Sequence, residues 1–324
     1  MSNYMLSLGM FLLLSCNNTV RNIDKGNVAF GSSRFLVYIE EPRTKALDFS
    51  YNNQIALFDL NDHQTHLLVN DSYLNEEPCI WPNGRYVVFV SAREGGSLYL
   101  KVAGDAAKRQ VYRYDLVTGK LVQVLNSNGS ISHLAVSRSA HGLYYIGGSR
   151  AIYFMSTDSE SIREVIKLDS NYNIIGLDVS PLNNKLIFSY GKMKPPDPSY
   201  IEGGLREIDL TTHRNEQLPL SWGTAIHDWS QGGDSLLITK DSLAVYDVKL
   251  NKLEYLHVPD SLSILSPRLW NVDTLAFIGS RQLALSHHWS YDVYFYDIKD
   301  RHLIKLTDDG VPKSELRIYN KFYR

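Results

Sequence analysis

What most constrains this chain is a repeat that runs through nearly its whole length. Its first half is an apolar strand, a polar turn and a second apolar strand, clearest in Ile80-Trp81-Pro82-Asn83-Gly84-Arg85-Tyr86-Val87-Val88-Phe89. Segments 136–145 (VSRSAHGLYY), 179–188 (VSPLNNKLIF) and 229–238 (WSQGGDSLLI) repeat it at the same internal spacing. Weaker copies at 29–38 and 269–277, the latter one residue shorter in its turn, bring the number of units to six. The second half is a strand that ends in Asp, a short polar turn and a closing apolar strand. It recurs as IALFDL (55–60), VYRYDL (111–116), LREIDL (205–210), LAVYDV (243–248) and VYFYDI (293–298). The third unit keeps the apolar strand at 151–155 without the acid. Apolar strands joined through such turns read as hairpins, and Asp at that place serves the turn.

One four-stranded sheet cannot bury both its faces, whereas sheets stacked around an axis bury them against each other. Six such units at a spacing of roughly 40 to 55 residues predict an all-β, six-bladed β-propeller with four-stranded antiparallel blades. The blades are expected at 27–72, 73–128, 129–170, 171–220, 221–260 and 261–310. A sandwich needs no such period, and no segment has the 3.6-residue patterning of a helical solenoid. The 21 tyrosines suit strands, where a ring packs on the pleated face and the hydroxyl reaches the rim. Either 316–323 (LRIYNKFY) or 22–30 should close the ring, because an unclosed ring leaves a sheet edge bare.

The first half-unit resembles the Pro-x-Trp-Ser-Pro-Asp-Gly-x-x-Leu-Ala-Phe repeat of TolB-type propellers, WD-like repeats also found beside the peptidase domain of prolyl oligopeptidases. Pro78, Pro82, Asn83, Gly84 and Phe89 carry the resemblance in the second unit, and Ser180, Pro181, Leu186 and Phe188 in the fourth. Ile80 stands where that motif has Trp. The resemblance implies the fold for the chain after residue 27 and leaves function open.

Near the start, 5–14 (MLSLGMFLLL) is an apolar run too short to cross a bilayer core of about 30 Å as a helix, but suited to a signal peptide. It leads into Leu13-Leu14-Ser15-Cys16, which resembles the lipobox of bacterial lipoproteins, whose cysteine takes lipid. The expected organisation is a signal peptide with lipobox over 1–16, a linker over 17–26 and the propeller over 27–324. Cys16 would then anchor an exported protein in the cell envelope, on the periplasmic or outer-membrane face. The alternative is a plain secretory signal with an incidental cysteine; residues 1–4 carry no Lys or Arg. With Cys16 lipidated, Cys79 has no partner within the chain, so the fold must rest on its core without a disulfide.

A net charge of −2 and a pI near 6.6 give no field that would draw nucleic acid or an anionic membrane. The distribution of connections is more informative. Between the second and third strands they are tight at 147–150 and 240–242, but long at 40–53, 92–110, 191–204 and 280–292. Equivalent connections emerge on one face of a propeller, where loops on a rigid scaffold carry function. These four hold Arg43, Tyr51, Arg93, Lys108, Arg109, Lys192, Lys194, Tyr200, Arg281, His287, His288, Trp289 and Tyr291, rich in the Arg and aromatic types that dominate binding. Pro195-Pro196-Asp197-Pro198 stiffens the fourth-blade loop. A ligand-binding face for an anionic or carbohydrate-like ligand, or an acidic protein patch, is expected. The bland alternative is a set of solvated loops that cap the ring.

Catalysis finds little support. No Gly-x-Ser-x-Gly elbow, phosphate-binding glycine loop or Cys-x-x-Cys pair is present. Asp59, Asp115, Asp209, Asp247 and Asp297 hold one position in five units and would be spread around the ring. Gln282, His287 and His288 distantly resemble the metal-holding His and Gln of oligogalacturonate lyases, but adjacent histidines on an extended segment point to opposite sides. His133, His141, His227 and His257 fall in different units, with nothing in the sequence to unite them. No cofactor is expected, and the protein is expected to be a monomer. The leading expectation is a non-catalytic envelope lipoprotein, a binding or scaffold module for a protein or glycan that meets the membrane only through its anchor. The alternative is a carbohydrate-active propeller such as an oligogalacturonate-lyase-like polysaccharide lyase.

Overall fold

The computed structural model of the chain describes residues 34–41, 53–71, 73–93, 109–127, 130–137, 141–156, 161–182, 184–194, 197–221, 223–259, 261–282, 289–309 and 311–319. Blade two shows the unit: β4 (Asn75–Ile80), β5 (Tyr86–Ser91), β6 (Gln110–Asp115) and β7 (Leu121–Leu125), paired antiparallel in that order. Blade three holds β8 (Ile131–Ser137), β9 (Gly142–Gly147), β10 (Ala151–Ser156) and β11 (Ile162–Lys167). Blade four holds β12 (Tyr172–Val179), β13 (Lys185–Lys194), β14 (Asp197–Asp209) and β15 (Asn215–Gln217). Blade five holds β16 (Ala225–Trp229), β17 (Ser235–Thr239), β18 (Leu243–Asp247) and β19 (Lys252–Tyr255). Blade six holds β20 (Ser263–Asn271), β21 (Thr274–Gln282), β22 (Trp289–Asp297) and β23 (His302–Lys305).

Blade one is assembled from both ends of this order. Its β1 (Phe35–Glu40), β2 (Gln54–Asp59) and β3 (Gln64–Val69) are joined on the inner side by β24 (Lys313–Tyr319). The inner strands then touch in the sequence β24, β4, β8, β12, β16, β20 and back to β24, which closes the ring. Of the two expected closing segments the later one does the work, and the inner strand of blade one comes from 313–319, not from within 27–72. Residues 22–30 lie outside the described residues.

The second strands explain why stacking is obligatory. Along β5, Val87 and Phe89 pack with Phe35, Val37 and Ile55 of blade one, while Val88 and Val90 pack with Leu134, Leu143 and Tyr145 of blade three. On β21, Leu275 and Phe277 face Leu237 and Leu243 of blade five, and Ala276 and Ile278 face Leu36 and Tyr38 of blade one. Buried on both faces, these strands read as continuous apolar runs, and each blade interface has its own core cluster.

The repeated aspartates do what their position suggests. Asp209 Oδ1 accepts the N–H groups of Thr211 and Thr212 at 2.9 and 2.8 Å, and Asp247 Oδ1 those of Lys249 and Leu250 at 2.9 and 2.8 Å. Four residues after the acid the backbone turns left-handed in all five units, at His63, Gly119, His213, Asn251 and Arg301. A turn followed by one left-handed residue is a standard hairpin solution, and the side-chain carboxylate satisfies its inward N–H groups.

Candidate functional site

The six inner strands leave a channel along the axis, a cavity of about 560 Å³. Its lining runs from Ser221 and Thr224, ahead of β16, to Trp81, Pro82 and Gln231, beyond the far ends of the inner strands. Each inner strand carries a bulge against its second strand, which breaks the ladder and turns polar groups toward the axis. At four of the bulges a residue other than Gly takes a positive φ: Glu77 (55°), His133 (52°), Ser266 (45°) and Glu315 (54°). At these four bulges the backbone is held in a conformation that costs a residue with a side chain some strain.

One tier below, the pairing register puts six residues at the same place: Cys79, Ala135, Asp178, Asp228, Arg268 and Arg317, opposite Val88, Tyr144, Ile187, Leu237, Ala276 and Val37. All six line the cavity. Side chains here bind the next inner strand around the ring, because inner strands share no ladder of their own. Cys79 Sγ donates to the Leu134 carbonyl at 3.1 Å, Asp228 Oδ2 accepts from the Leu269 N–H at 2.9 Å, and Arg268 Nε donates to the Leu316 carbonyl at 2.8 Å. In the upper tier Glu77 Oε2 accepts from the Leu134 N–H at 3.1 Å, and Glu315 Oε2 from the Glu77 N–H.

The electrostatics follow from burial and from mixed signs. Burial, and then the charge of Asp228, push the Asp178 carboxyl well up, with Arg317 opposing. Burial and the charge of Glu77 push Glu315 up to about 8. His227 is pushed down to about 4 by burial and by Arg317, so it is neutral at pH 7, with Nε2 2.8 Å from Thr239 Oγ1. Burial also raises the Cys79 thiol, which keeps it a thiol and no nucleophile. The channel therefore offers hydrogen-bonding groups and both charge signs within one desolvated space, a setting for binding. Among the described residues no group of three or more His, Cys, Asp and Glu is placed to hold a metal ion.

At the face where the inner strands begin, the sequence-expected loops are partly strand. Segment 191–204 continues β13 and β14 as one long hairpin, with residues 195–196 between them. Its Gly and Pro signal a loop, but pairing of Tyr172 with Lys192 and Asn173 with Gly191 extends the sheet instead. Segment 280–292 likewise extends β21 to Gln282 and resumes at Trp289. Both hairpins rise on the face that carries the second-to-third connections.

The expected binding residues divide. Arg43, Tyr51, His287 and His288 lie outside the described residues, as does Cys16. Tyr200 lies in β14 opposite Met193, and Trp289 begins β22 opposite Gln282. Arg93 pairs with Asp71, donates to Ser91 Oγ at 2.8 Å and lies over the rings of Tyr73, Phe89 and Tyr112, so it braces blade two from within. Arg109 pairs with Glu76 at 3.1 Å. Lys192 reaches Glu202 at 3.4 Å and lies 5.8 Å from the Tyr172 ring centroid. Arg281 is exposed on β21, and Tyr291 on β22 is partly buried against the core between blades six and one. The ring brings His133 and His227 to one channel, which the sequence alone did not suggest. The channel tiers were missed for the same reason; aligning the residue before Ile80, Val136, Val179 and Trp229 would have exposed the column.

Solved structures share this architecture. TolB from Acinetobacter baumannii is similar with a TM-score of 0.62 at 13% identity, over 88% of this chain and 66% of that one, so the chain spans just under two thirds of that protein. A putative TolB from Agrobacterium tumefaciens is similar with a TM-score of 0.57 at 14% identity, over 90% of this chain and 100% of that one. An oligogalacturonate lyase in complex with manganese is similar with a TM-score of 0.51 at 12% identity, over 85% and 73%. No protein-family model and no curated protein matches the chain. The chain has the six-bladed β-propeller fold seen in TolB proteins.

Proposed function

We propose that this TolB-like propeller is a non-catalytic binding module of the cell envelope, held by lipid on Cys16, whose partner is a protein or glycan. The partner meets the face from which the β13–β14 and β21–β22 hairpins rise, and it reaches into the polar channel below. The observation that carries this reading is the placement of both prolonged hairpins on the face where the inner strands begin. Rigid projections beside a concave polar cavity are what a binding face requires. Envelope location and the anchor rest on the apolar run 5–14 and the Cys16 motif.

The test is a pull-down from native envelope extract. Lys192→Glu combined with Arg281→Glu should lose the partner, while Lys252→Glu on the opposite face should keep it. A partner retained by the double variant overturns the reading. Mass spectrometry of the mature N-terminus tests the anchor, which an unmodified Cys16 would exclude. The lyase alternative is supported by likeness of fold to oligogalacturonate lyase. Formation of an unsaturated uronate from oligogalacturonate, with divalent metal added, would establish it.

A further inference from the structure

We propose that the seam where β24 closes the ring is a proton-dependent latch, in which ionisation of Glu315 loosens β24 from β4. Every other inner strand is tied to its second strand by a covalent turn. β24 has no such turn to β1 and is held to it by a ladder running from Phe35 opposite Tyr319 to Glu40 opposite Lys313, by the Phe35–Tyr319 stack and by Ser314 Oγ donating to Glu41. On its other side it meets β4 through side chains, and there Glu315, at the strained bulge, accepts the N–H of Glu77.

Carboxyls gather at this contact. Burial disfavours the ionised Glu315 most, Glu77 and Glu76 of β4 and Glu41 beyond the end of β1 add like charge, and together they outweigh the Glu77 N–H, which favours the carboxylate. The basic groups on the packed elements are engaged elsewhere. Arg109 pairs with Glu76 at 3.1 Å, and His133 Nδ1 on β8 lies 3.8 Å from Glu77 Oε1. Lys313 is buried and bonded to Asp309 and to the Val311 carbonyl, with Glu40 opposite it in the ladder. Arg268 on β20 donates to the Leu316 carbonyl at 2.8 Å, and Arg317 acts on Cys79, Asp178 and Glu77. On blade six, Lys305 pairs with Asp292 at 3.0 Å.

The direction follows. Glu315 titrates near 8 in the closed seam against 4.5 for a free glutamate, so the closed form holds a proton that the open form releases. Such a group makes closure strongest below pH 4.5, weakens it as pH rises toward 8 and changes nothing further above that. Glu40, pushed up to about 7 by burial against the pull of Lys313, acts in the same direction on the β1 side.

Hydrogen exchange of the amides of 313–319 and of Glu77, corrected for intrinsic rate, tests this between pH 5 and 9. Protection should fall by up to about tenfold per pH unit between pH 6 and 8 and then level. Glu315→Gln keeps an acceptor for the Glu77 N–H without the charge. It should hold protection at pH 8 about a hundredfold or more above the unsubstituted protein while lying within a few-fold of it at pH 5. Equal protection of the two proteins at pH 8 overturns the proposal. Should the variant not fold, carbon-13 titration of the Glu315 carboxyl in the unsubstituted protein decides. A midpoint near 8 supports the latch, and one near 4.5 removes it.

Discussion

Tyr319 of the closing strand lies on Gly84 of the β4–β5 turn, so that a Cβ built on Gly84 would come within 2.6 Å of Tyr319 Cε1. The same ring stacks on Phe35 with centroids 4.9 Å apart. Gly84 also has a φ of 68°, a conformation that strains any residue with a side chain. Gly84→Ala is therefore expected to lose about 1–3 kcal/mol from two separable sources, the backbone and the crowding of Tyr319. Chemical denaturation of Gly84→Ala with and without Tyr319→Ala separates them. In the Tyr319→Ala background the cost should shrink to the backbone part of about 1 kcal/mol, and an unchanged cost would rule out the crowding.

The turn aspartates give a second expectation. The N–H groups of Thr212 and Thr211 hold the Asp209 carboxyl below its ordinary range. A depressed carboxyl contributes stability that is present above its unfolded pKa and lost as pH falls through the folded value. Asp209→Ala should lower the melting temperature at pH 7 and bring it level with the unsubstituted protein near pH 2. Asp209→Asn, which keeps one acceptor oxygen, should cost less at pH 7. A deficit of Asp209→Ala that is the same at both pH values would show that the charge is irrelevant to the turn.

These turns were legible because their logic is local: Asp247, three residues of turn and the left-handed Asn251 lie within five positions of sequence. The blades were legible because two-sided burial leaves its mark as unbroken apolar runs such as 86–90. The prolonged hairpin of blade four was not. Gly191, Pro195, Pro196 and Gly203 argue locally for a loop, and the pairing of β13 with β14, backed by β12 at Gly191 and Lys192, makes the segment strand. The channel chemistry was hidden differently. Asp178, Asp228, Arg268 and Arg317 lie one per repeat and differ in type, so no motif joins them until the ring does.

His227 supplies a third prediction. Held neutral by burial and by Arg317 with a pKa near 4, it must take up a proton on unfolding below pH 6.5. The stability it contributes is present above 6.5 and is lost as pH falls toward 4, by at most about 3 kcal/mol. His227→Gln retains a partner for Thr239 without titrating. The difference in unfolding free energy between the two proteins should therefore change between pH 6.5 and 4 and stay constant above that window. A constant difference throughout would mean that His227 takes up its proton as readily in the folded channel as in the unfolded chain.

Arg317 should be the least replaceable residue of the channel. It stands on the closing strand, yet it acts on Cys79 and Asp178 of blades two and four and on Glu77, so one guanidinium offsets charges on separate inner strands. Without it, Asp178 and Asp228 face each other with no cation acting on Asp178, and the ring must desolvate a charge or force a proton onto it. Arg317→Met is expected to cost about 3–5 kcal/mol, the range for removing one member of a buried charge pair. Asp178→Asn alone should cost far less, because Asp178 already holds its proton readily. Combining the two should recover more than about 1 kcal/mol relative to their sum, since the second change removes the charge that the first left unopposed. Strict additivity in that cycle would sever Arg317 from the acid pair and leave it as a packing residue of the seam.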